Sequence, residues 1–89
     1  MWVEDLAKQI KWFNEDSLAK FVKRVRERWP DFEVETVIQK RSKQILFVKV
    51  QGHRLKLIVY RDGRVRAYGP LQATAFALKK IAARVLGIE

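Results

Sequence analysis

Apolar residues recur at helical spacing along the first third of the chain. In residues 2–13, Trp2, Leu6, Ile10 and Phe13 follow one another at intervals of three or four, which predicts a short amphipathic helix. Residues 14–17 are polar and are typical of a break, with Ser17 as the N-cap of a second helix. Two N-terminal helices are therefore expected.

The second helix has a clear apolar stripe and a clear end. The stripe consists of Leu18, Phe21, Val22, Val25 and Trp29. Pro30 ends the helix, because the residue before a proline is pushed out of the helical region. Trp29 lies on the stripe and is expected in the core.

The apolar period then changes from helical to two, which is typical of strands. Four segments rich in Val, Ile, Leu, Phe and Tyr are separated by turn residues, and they span residues 32–40, 44–51, 54–60 and 64–68. They predict a four-stranded antiparallel meander. Pro70 starts a last helix at its first turn and Gly87 stops it, with Leu71, Thr74, Leu78, Ala82 and Val85 along one face. The predicted order is ααββββα, a single α+β domain over residues 1–89.

The turns set the register of the predicted strands. A two-residue Gly52-His53 loop pairs Gln51 with Arg54. A three-residue loop over residues 61–63, with Gly63 left-handed, pairs Tyr60 with Arg64. A one-residue slip at this second turn would bury Arg66, so the three-residue loop is expected.

This register predicts one aliphatic face and one mixed face. Residues i and i+2 share a face, so Leu46, Leu57 and Val65 belong to the core. The opposite face is expected to hold Val37, Gln39, Ile45, Phe47, Lys49, Arg54, Lys56, Ile58, Tyr60, Arg64, Arg66 and Tyr68.

Positive charge is concentrated in the strand region. The net charge is +9, with −1 over residues 1–35 (seven Lys/Arg, eight Asp/Glu) and +10 over residues 36–89 (twelve Lys/Arg, two Asp/Glu). A segregated charge concentrates phosphates at one side of a protein. Bases stack on aromatic rings while cations neutralise the backbone, which is the chemistry of a single-strand platform. The predicted nucleic-acid-binding residues are Phe47, Lys49, Arg54, Lys56, Tyr60, Arg64, Arg66 and Tyr68, with Lys40, Arg41 and Lys43 at a hairpin tip.

Three points are left open by the sequence. The mixed face could be covered in part by the first helix, through Trp2, Leu6, Ile10 and Phe13, or by a second subunit. Trp2 and Trp12 could each be a base-stacking ring or an oligomer contact. The tip cations could be solvated or could contact phosphate.

The sequence offers little for catalysis or a cofactor. The chain has no cysteine, and its one histidine, His53, lies in a predicted turn without ligands at metal spacing. The four glycines are scattered singly, so no phosphate-cradling loop is expected. We expect no enzyme, no metal and no cofactor. Without an apolar run of about 18 residues or a signal-like start, we expect a cytoplasmic protein that does not contact a membrane.

Two resemblances to known families follow from these patterns. Residues 57–69 (LIVYRDGRVRAYG), running into residues 77–83 (ALKKIAA), resemble the strand–Gly–strand–helix ending of a TATA-binding-protein repeat. The chain departs from that family in having one copy of the repeat. Its preceding strands do not match the family closely enough to assign the family's wedge phenylalanines to positions in this sequence.

The whole chain is more similar to the ThermoDBP-related proteins of archaea, in size, element order and basic-aromatic sheet. That resemblance implies single-stranded DNA as ligand, little sequence preference and association of subunits. A thermophilic source fits the absence of cysteine and the 33% charged residues.

The sequence thus predicts a non-catalytic, homo-oligomeric single-stranded DNA-binding protein, with RNA as a possible ligand. Two rival hypotheses are an RNA- or duplex-binding component of chromatin or a ribonucleoprotein, and a structural subunit of a larger complex.

Overall fold

A computed structural model describes residues 12–88 of the chain. Two helices and four strands are present in this range: α1 (Glu15–Arg28), β1 (Glu33–Gln39), β2 (Lys43–Val50), β3 (His53–Tyr60), β4 (Val65–Tyr68) and α2 (Gln72–Leu86). The α+β class and the four-stranded antiparallel sheet are confirmed. The extra helix expected over residues 2–13 lies outside the described residues except for Trp12 and Phe13, which are not helical.

Helix α1 begins with a reciprocal cap. The Asn14 side chain accepts a hydrogen bond from Ser17 N (2.8 Å), and the Ser17 hydroxyl accepts one from Asn14 N (2.8 Å). Two backbone donors that the helix itself leaves unpaired are thereby satisfied. The N-cap is therefore Asn14, and the assignment of Ser17 as N-cap was wrong by three residues. The predicted stop before Pro30 is confirmed, since α1 ends at Arg28.

The strands lie in the order β1-β2-β3-β4, each antiparallel to the next. At the β3–β4 turn, Tyr60 N donates to Arg64 O (2.8 Å), and Gly63 has φ 99°. Val59 lies opposite Val65. The predicted three-residue loop is confirmed.

The β2–β3 turn lies one residue earlier than predicted, which shifts the register of the two strands by two residues. Val50 pairs with His53, so that Gln51 and Gly52 form the turn, with φ 54° and 77°. These two positive angles are typical of the tight hairpin turn that matches strand twist. Gln51 N also donates to Asp31 Oδ2 (2.6 Å), which anchors the turn. Because the register shifts by an even number of residues, each side chain stays on its predicted face of the sheet.

Strand β1 contains a bulge that reverses the faces of its second half. The pairing shifts between Val34 and Thr36, leaving Glu35 without a partner in β2. Val37 then pairs with Leu46, and Gln39 pairs with Gln44. Both Val37 and Gln39 therefore lie on the helix-covered side of the sheet, and their assignment to the mixed face was wrong. Thr36 and Ile38 take those places.

Both helices pack on the aliphatic side of the sheet. The largest fully buried side chains include Phe21 of α1, Phe32, Leu46, Leu57 and Leu78 of α2. Trp29 is also buried, as predicted. In α2 the buried members of the predicted face are Thr74, Leu78 and Ala82, and Gly87 ends the helix with φ 70°. The opposite side of the sheet, called the open face below, carries no described helix.

The segment that precedes α1 belongs to this core. The Phe13 ring lies 5.0 Å from that of Phe21 and is 7% exposed. Trp12 packs against the core and donates from Nε1 to Val59 O (2.9 Å). Phe13 therefore does not cover the open face, and Trp12 is a core-packing residue. Trp2, Leu6 and Ile10 lie outside the described residues.

Candidate nucleic-acid interface

The open face is organised in rows that run across the strands. Residues directly opposite one another in neighbouring strands share a face, and successive rows on one face lie about 6.7 Å apart. From the Gln51–Gly52 turn onward, the rows are Lys49–Arg54, Phe47–Lys56–Tyr68, Ile45–Ile58–Arg66 and Lys43–Tyr60, with Arg64 hydrogen-bonded to Tyr60 through the backbone. The eight strand residues predicted as the site therefore do lie on one face.

The second row places a cation between two exposed rings. Phe47 is 38% exposed and Tyr68 is 46% exposed. Lys56 lies between them in the register, and its Nζ is 5.5 Å from the centroid of the Tyr68 ring. These three residues, with Arg54 and Gly69, line a shallow groove of about 320 Å³, called the Tyr68 groove below. Exposed rings beside an ammonium group suit base stacking with a nearby phosphate contact.

The last row contains a second ring–cation pair. By strand geometry it lies about 13 Å from the row that contains Lys56 and Tyr68. The guanidinium of Arg64 lies 4.8 Å from the Tyr60 ring centroid. Its Nε also donates to Asp62 Oδ2 (2.9 Å). Tyr60 is half-buried, so less of its ring is available for stacking than of the exposed Phe47 and Tyr68 rings. Of the three predicted stacking rings, Phe47 and Tyr68 are therefore the ones accessible to a base.

The Arg61–Gly63 loop fixes the position of Asp62. Asp62 Oδ1 accepts a hydrogen bond from Arg64 N (3.1 Å). That bond, aided by the neighbouring Arg64 guanidinium, lowers the pKa of the Asp62 carboxyl from its ordinary value of 3.8. Asp62 is therefore ionised at neutral pH and partly neutralises Arg64.

Arg54 is also paired with an acid. Its Nε donates to Glu35 Oε1 (3.1 Å), and Glu35 lies at the β1 bulge, two residues after Glu33 of the open face. Within residues 12–88, by contrast, Lys49, Lys56 and Arg66 take part in no ion pair. These three cations are the better candidates for phosphate contacts.

The predicted tip residues lie at the Tyr60 end of the open face. Lys40 N donates to Lys43 O (2.8 Å), which closes the tip. Arg61 N donates to Ser42 O (3.0 Å), so the two neighbouring loops are joined. Lys43 lies directly opposite Tyr60, while Lys40 and Arg41 are exposed farther along the tip. Lys43 thus belongs to the last row, and Lys40 and Arg41 extend the basic surface beyond it.

The centre of the open face is less accessible than the strand pattern implied. Ile58 is only 7% exposed, whereas Ile38 at the β1 edge is 38% exposed. Accessible rings and cations therefore lie toward the β4 side and the two ends of the face.

One exposed ring was missed by the sequence interpretation. Phe76 of α2 is 57% exposed, the highest value among the large hydrophobic residues exposed in the described range. Lys80 Nζ lies 4.9 Å from its ring centroid. The signal was present in the sequence, since Phe76 falls off the apolar face of α2 and is followed by Lys79 and Lys80.

The structure also bears on metals and membranes. Among residues 12–88, no three His, Cys, Asp or Glu side chains are grouped closely enough to hold a metal ion. His53 is exposed at the start of β3, one residue beyond the turn itself. Neither described helix combines the length and apolar character that crossing a bilayer requires.

Comparison with known proteins returned no relative. No family model, curated protein or solved structure matches this chain.

Proposed function

We propose that this protein binds single-stranded nucleic acid, with single-stranded DNA as the first candidate, and that it does so without catalysis. The observation that carries the proposal is the Phe47–Lys56–Tyr68 row, in which a cation lies between two exposed rings. The similarity to ThermoDBP-related proteins favours the same ligand but remains a prediction from the sequence.

Charge supports a polyanionic ligand. The open face carries Lys43, Lys49, Lys56 and Arg66, none of which is paired with an acid within residues 12–88. Of the described acids near this face, Glu33 and Glu35 lie on the β1 side, and Asp62 is paired with Arg64 in the loop after β3. A phosphate backbone is therefore attracted toward β2–β4, where the exposed rings are.

The shape of the surface favours an unpaired strand over a duplex. The rings lie on a sheet, and the Tyr68 groove is shallow, so a base must be unpaired to lie flat on Phe47 or Tyr68. Duplex readers usually insert a helix or a two-stranded ribbon into a groove. The basic hairpin tip over residues 40–43 is short for that role.

The test is a titration of labelled oligo-dT, its duplex and an RNA of equal length over a range of salt. We expect oligo-dT to bind more tightly than the duplex, with log K falling by about 0.7 per log salt for each phosphate contacted. Substituting Phe47→Ala together with Tyr68→Ala should weaken oligo-dT binding by about 10-fold or more.

Ile38→Ala is a matched control, because Ile38 and Phe47 are each 38% exposed on the same face. Equal or tighter duplex binding would contradict the single-strand proposal, and a flat salt response would contradict the electrostatic one. If RNA binds more tightly than DNA, the ribonucleoprotein alternative is favoured instead.

We also propose that the protein forms a homo-oligomer through α1. The half-buried Leu18 and Val22 border an apolar groove of about 570 Å³ on the outer side of this helix. Glu15 lies at one end of the groove, and Lys23 and Arg26 lie toward the other. Two copies related by a twofold axis with antiparallel α1 helices would bring opposite charges together.

Light scattering tests the oligomer. Val22→Glu should reduce the mass in solution, whereas Lys20→Glu, a charge change twice as large at an exposed position of the same helix, should not. An unchanged mass for Val22→Glu would contradict the α1 interface. The structural-subunit alternative is favoured if Tyr60→Ala with Tyr68→Ala breaks assembly and leaves nucleic-acid affinity unchanged.

A further inference from the structure

The surroundings of Phe76 distinguish it from an isolated exposed aromatic ring. Single exposed apolar residues are common and need no explanation. Phe76, however, has an ammonium group over its ring, since Lys80 Nζ lies 4.9 Å from the centroid. It also lines a cleft rather than standing alone on the surface.

This cleft, called the Phe76 cleft below, has a volume of about 400 Å³. Tyr68 and Gly69 form one side of it, and Gln72, Phe76 and Lys79 form the other. Tyr68 and Gly69 also line the Tyr68 groove on the open face. The two depressions therefore adjoin at the end of β4, with Tyr68 and Gly69 between them.

Close packing under Gly69 holds this corner in place. A Cβ atom at position 69 would lie 2.6 Å from Leu55 Cγ, and Leu55 is 2% exposed. The chain can pass so close to Leu55 only because residue 69 has no side chain. Helix α2 begins three residues later, so this contact sets where Phe76 stands relative to Tyr68.

We infer that Phe76, with Lys79 and Lys80, is a second base-stacking site, at which an unpaired strand continues from the Tyr68 groove around Gly69. This inference rests on the proposed function. The ligand is a single-stranded nucleic acid that contributes one base to the ring and its phosphates to the two lysines.

Charge favours this ligand over a second copy of the chain at Phe76. Helix α2 contains Lys79, Lys80 and Arg84 and no acidic residue. A second copy docked here through the same helix would bring like charges together. A phosphate backbone meets only attraction from the two lysines beside the ring.

The experiment compares two lengths of oligo-dT, about 5 and about 15 nucleotides, chosen to fit one depression or both. Phe76→Ala should weaken binding of the long oligonucleotide by about 5- to 100-fold and leave the short one unchanged. Tyr68→Ala should weaken both. Phe76→Tyr keeps a ring and should bind both like the wild type.

Folding should not confuse the result, since Phe76 is exposed and alanine is a better helix former. Circular dichroism and light scattering of each variant verify this. If Phe76→Ala binds the long oligonucleotide like the wild type while Tyr68→Ala is impaired, the second site is wrong and the proposed function stands. If neither variant changes binding, both fail.

A third result would identify a different occupant. If Phe76→Ala lowers the mass of the protein in solution, the ring contacts another copy of the chain, and the inference is overturned whatever the affinity for DNA.

Discussion

The side-chain amide of Gln44 pairs with both backbone groups of Phe13. Gln44 Oε1 accepts a hydrogen bond from Phe13 N (2.9 Å), and Nε2 donates to Phe13 O (3.1 Å). Gln44 is 5% exposed, so water cannot replace these bonds at low cost. This one side chain joins the start of β2 to the segment before α1, across 31 positions of the sequence.

Replacing Gln44 should therefore destabilise the protein. Gln44→Ala leaves the N–H and C=O of Phe13 buried without partners, and each such group costs about 1–3 kcal/mol. We expect the free energy of unfolding to fall by about 2 kcal/mol or more in urea denaturation. Gln72→Ala removes an exposed glutamine from the first position of α2 and should change stability little. Equal effects of the two substitutions would contradict the role given to Gln44.

Gly69→Ala should also be destabilising, for a steric reason. The new methyl group would lie 2.6 Å from Leu55 Cγ, and overpacking of this kind costs about 1–3 kcal/mol. Leu55→Ala on its own should cost about 2–5 kcal/mol, because it leaves a cavity in the core. The double variant should be more stable than the sum of the two losses predicts, since alanine at 55 removes the clash. Strict additivity in urea denaturation would show that this contact does not limit residue 69.

Removing the acid from the Glu35–Arg54 pair should strengthen nucleic-acid binding. Arg54 is well exposed, and exposed ion pairs contribute little to stability, so Glu35→Gln should fold normally and free Arg54 for phosphate. We expect tighter oligo-dT binding and a salt slope steeper by about 0.7. Asp16→Asn changes the net charge by the same amount at an exposed position of α1. If it has the same effect as Glu35→Gln, overall charge rather than Arg54 is responsible.

Asp62 should titrate below its ordinary range, chiefly because its carboxylate accepts a hydrogen bond from Arg64 N. A carboxyl pKa that is lower in the folded state stabilises the fold at pH values above the unfolded pKa, and that contribution disappears as pH falls through the folded pKa. Carboxyl NMR titration should therefore give a midpoint below 3.8 for Asp62. In Arg64→Gln the pKa should rise only part of the way back, because the backbone donor remains. A full return to 3.8 would assign the effect to the guanidinium.

The β2–β3–β4 part of the candidate site was predictable, because the face on which a strand residue lies changes only when the register is wrong by an odd number of residues. The three-residue loop after Tyr60 gave the correct β3–β4 register. The predicted β2–β3 register was wrong by two residues, which changes the pairing partners and not the faces. The eight strand residues of the site therefore lie together as predicted. Whether an exposed ring is available depends on its neighbours, and the Arg64 guanidinium over Tyr60 could not be foreseen from strand pattern.

The sequence by itself determined the α+β class, the strand order, the aliphatic face of β2–β4 and the concentration of charge after residue 35, because each depends on local periodicity or composition. The tertiary structure alone decided the bulge at Glu35, the burial of Phe13 and the cleft shared by Tyr68 and Phe76. These depend on contacts between residues distant in sequence, whose geometry is set only when helices and sheet pack. The Gln44–Phe13 pair belongs to this second group, since nothing local to either residue indicates its partner.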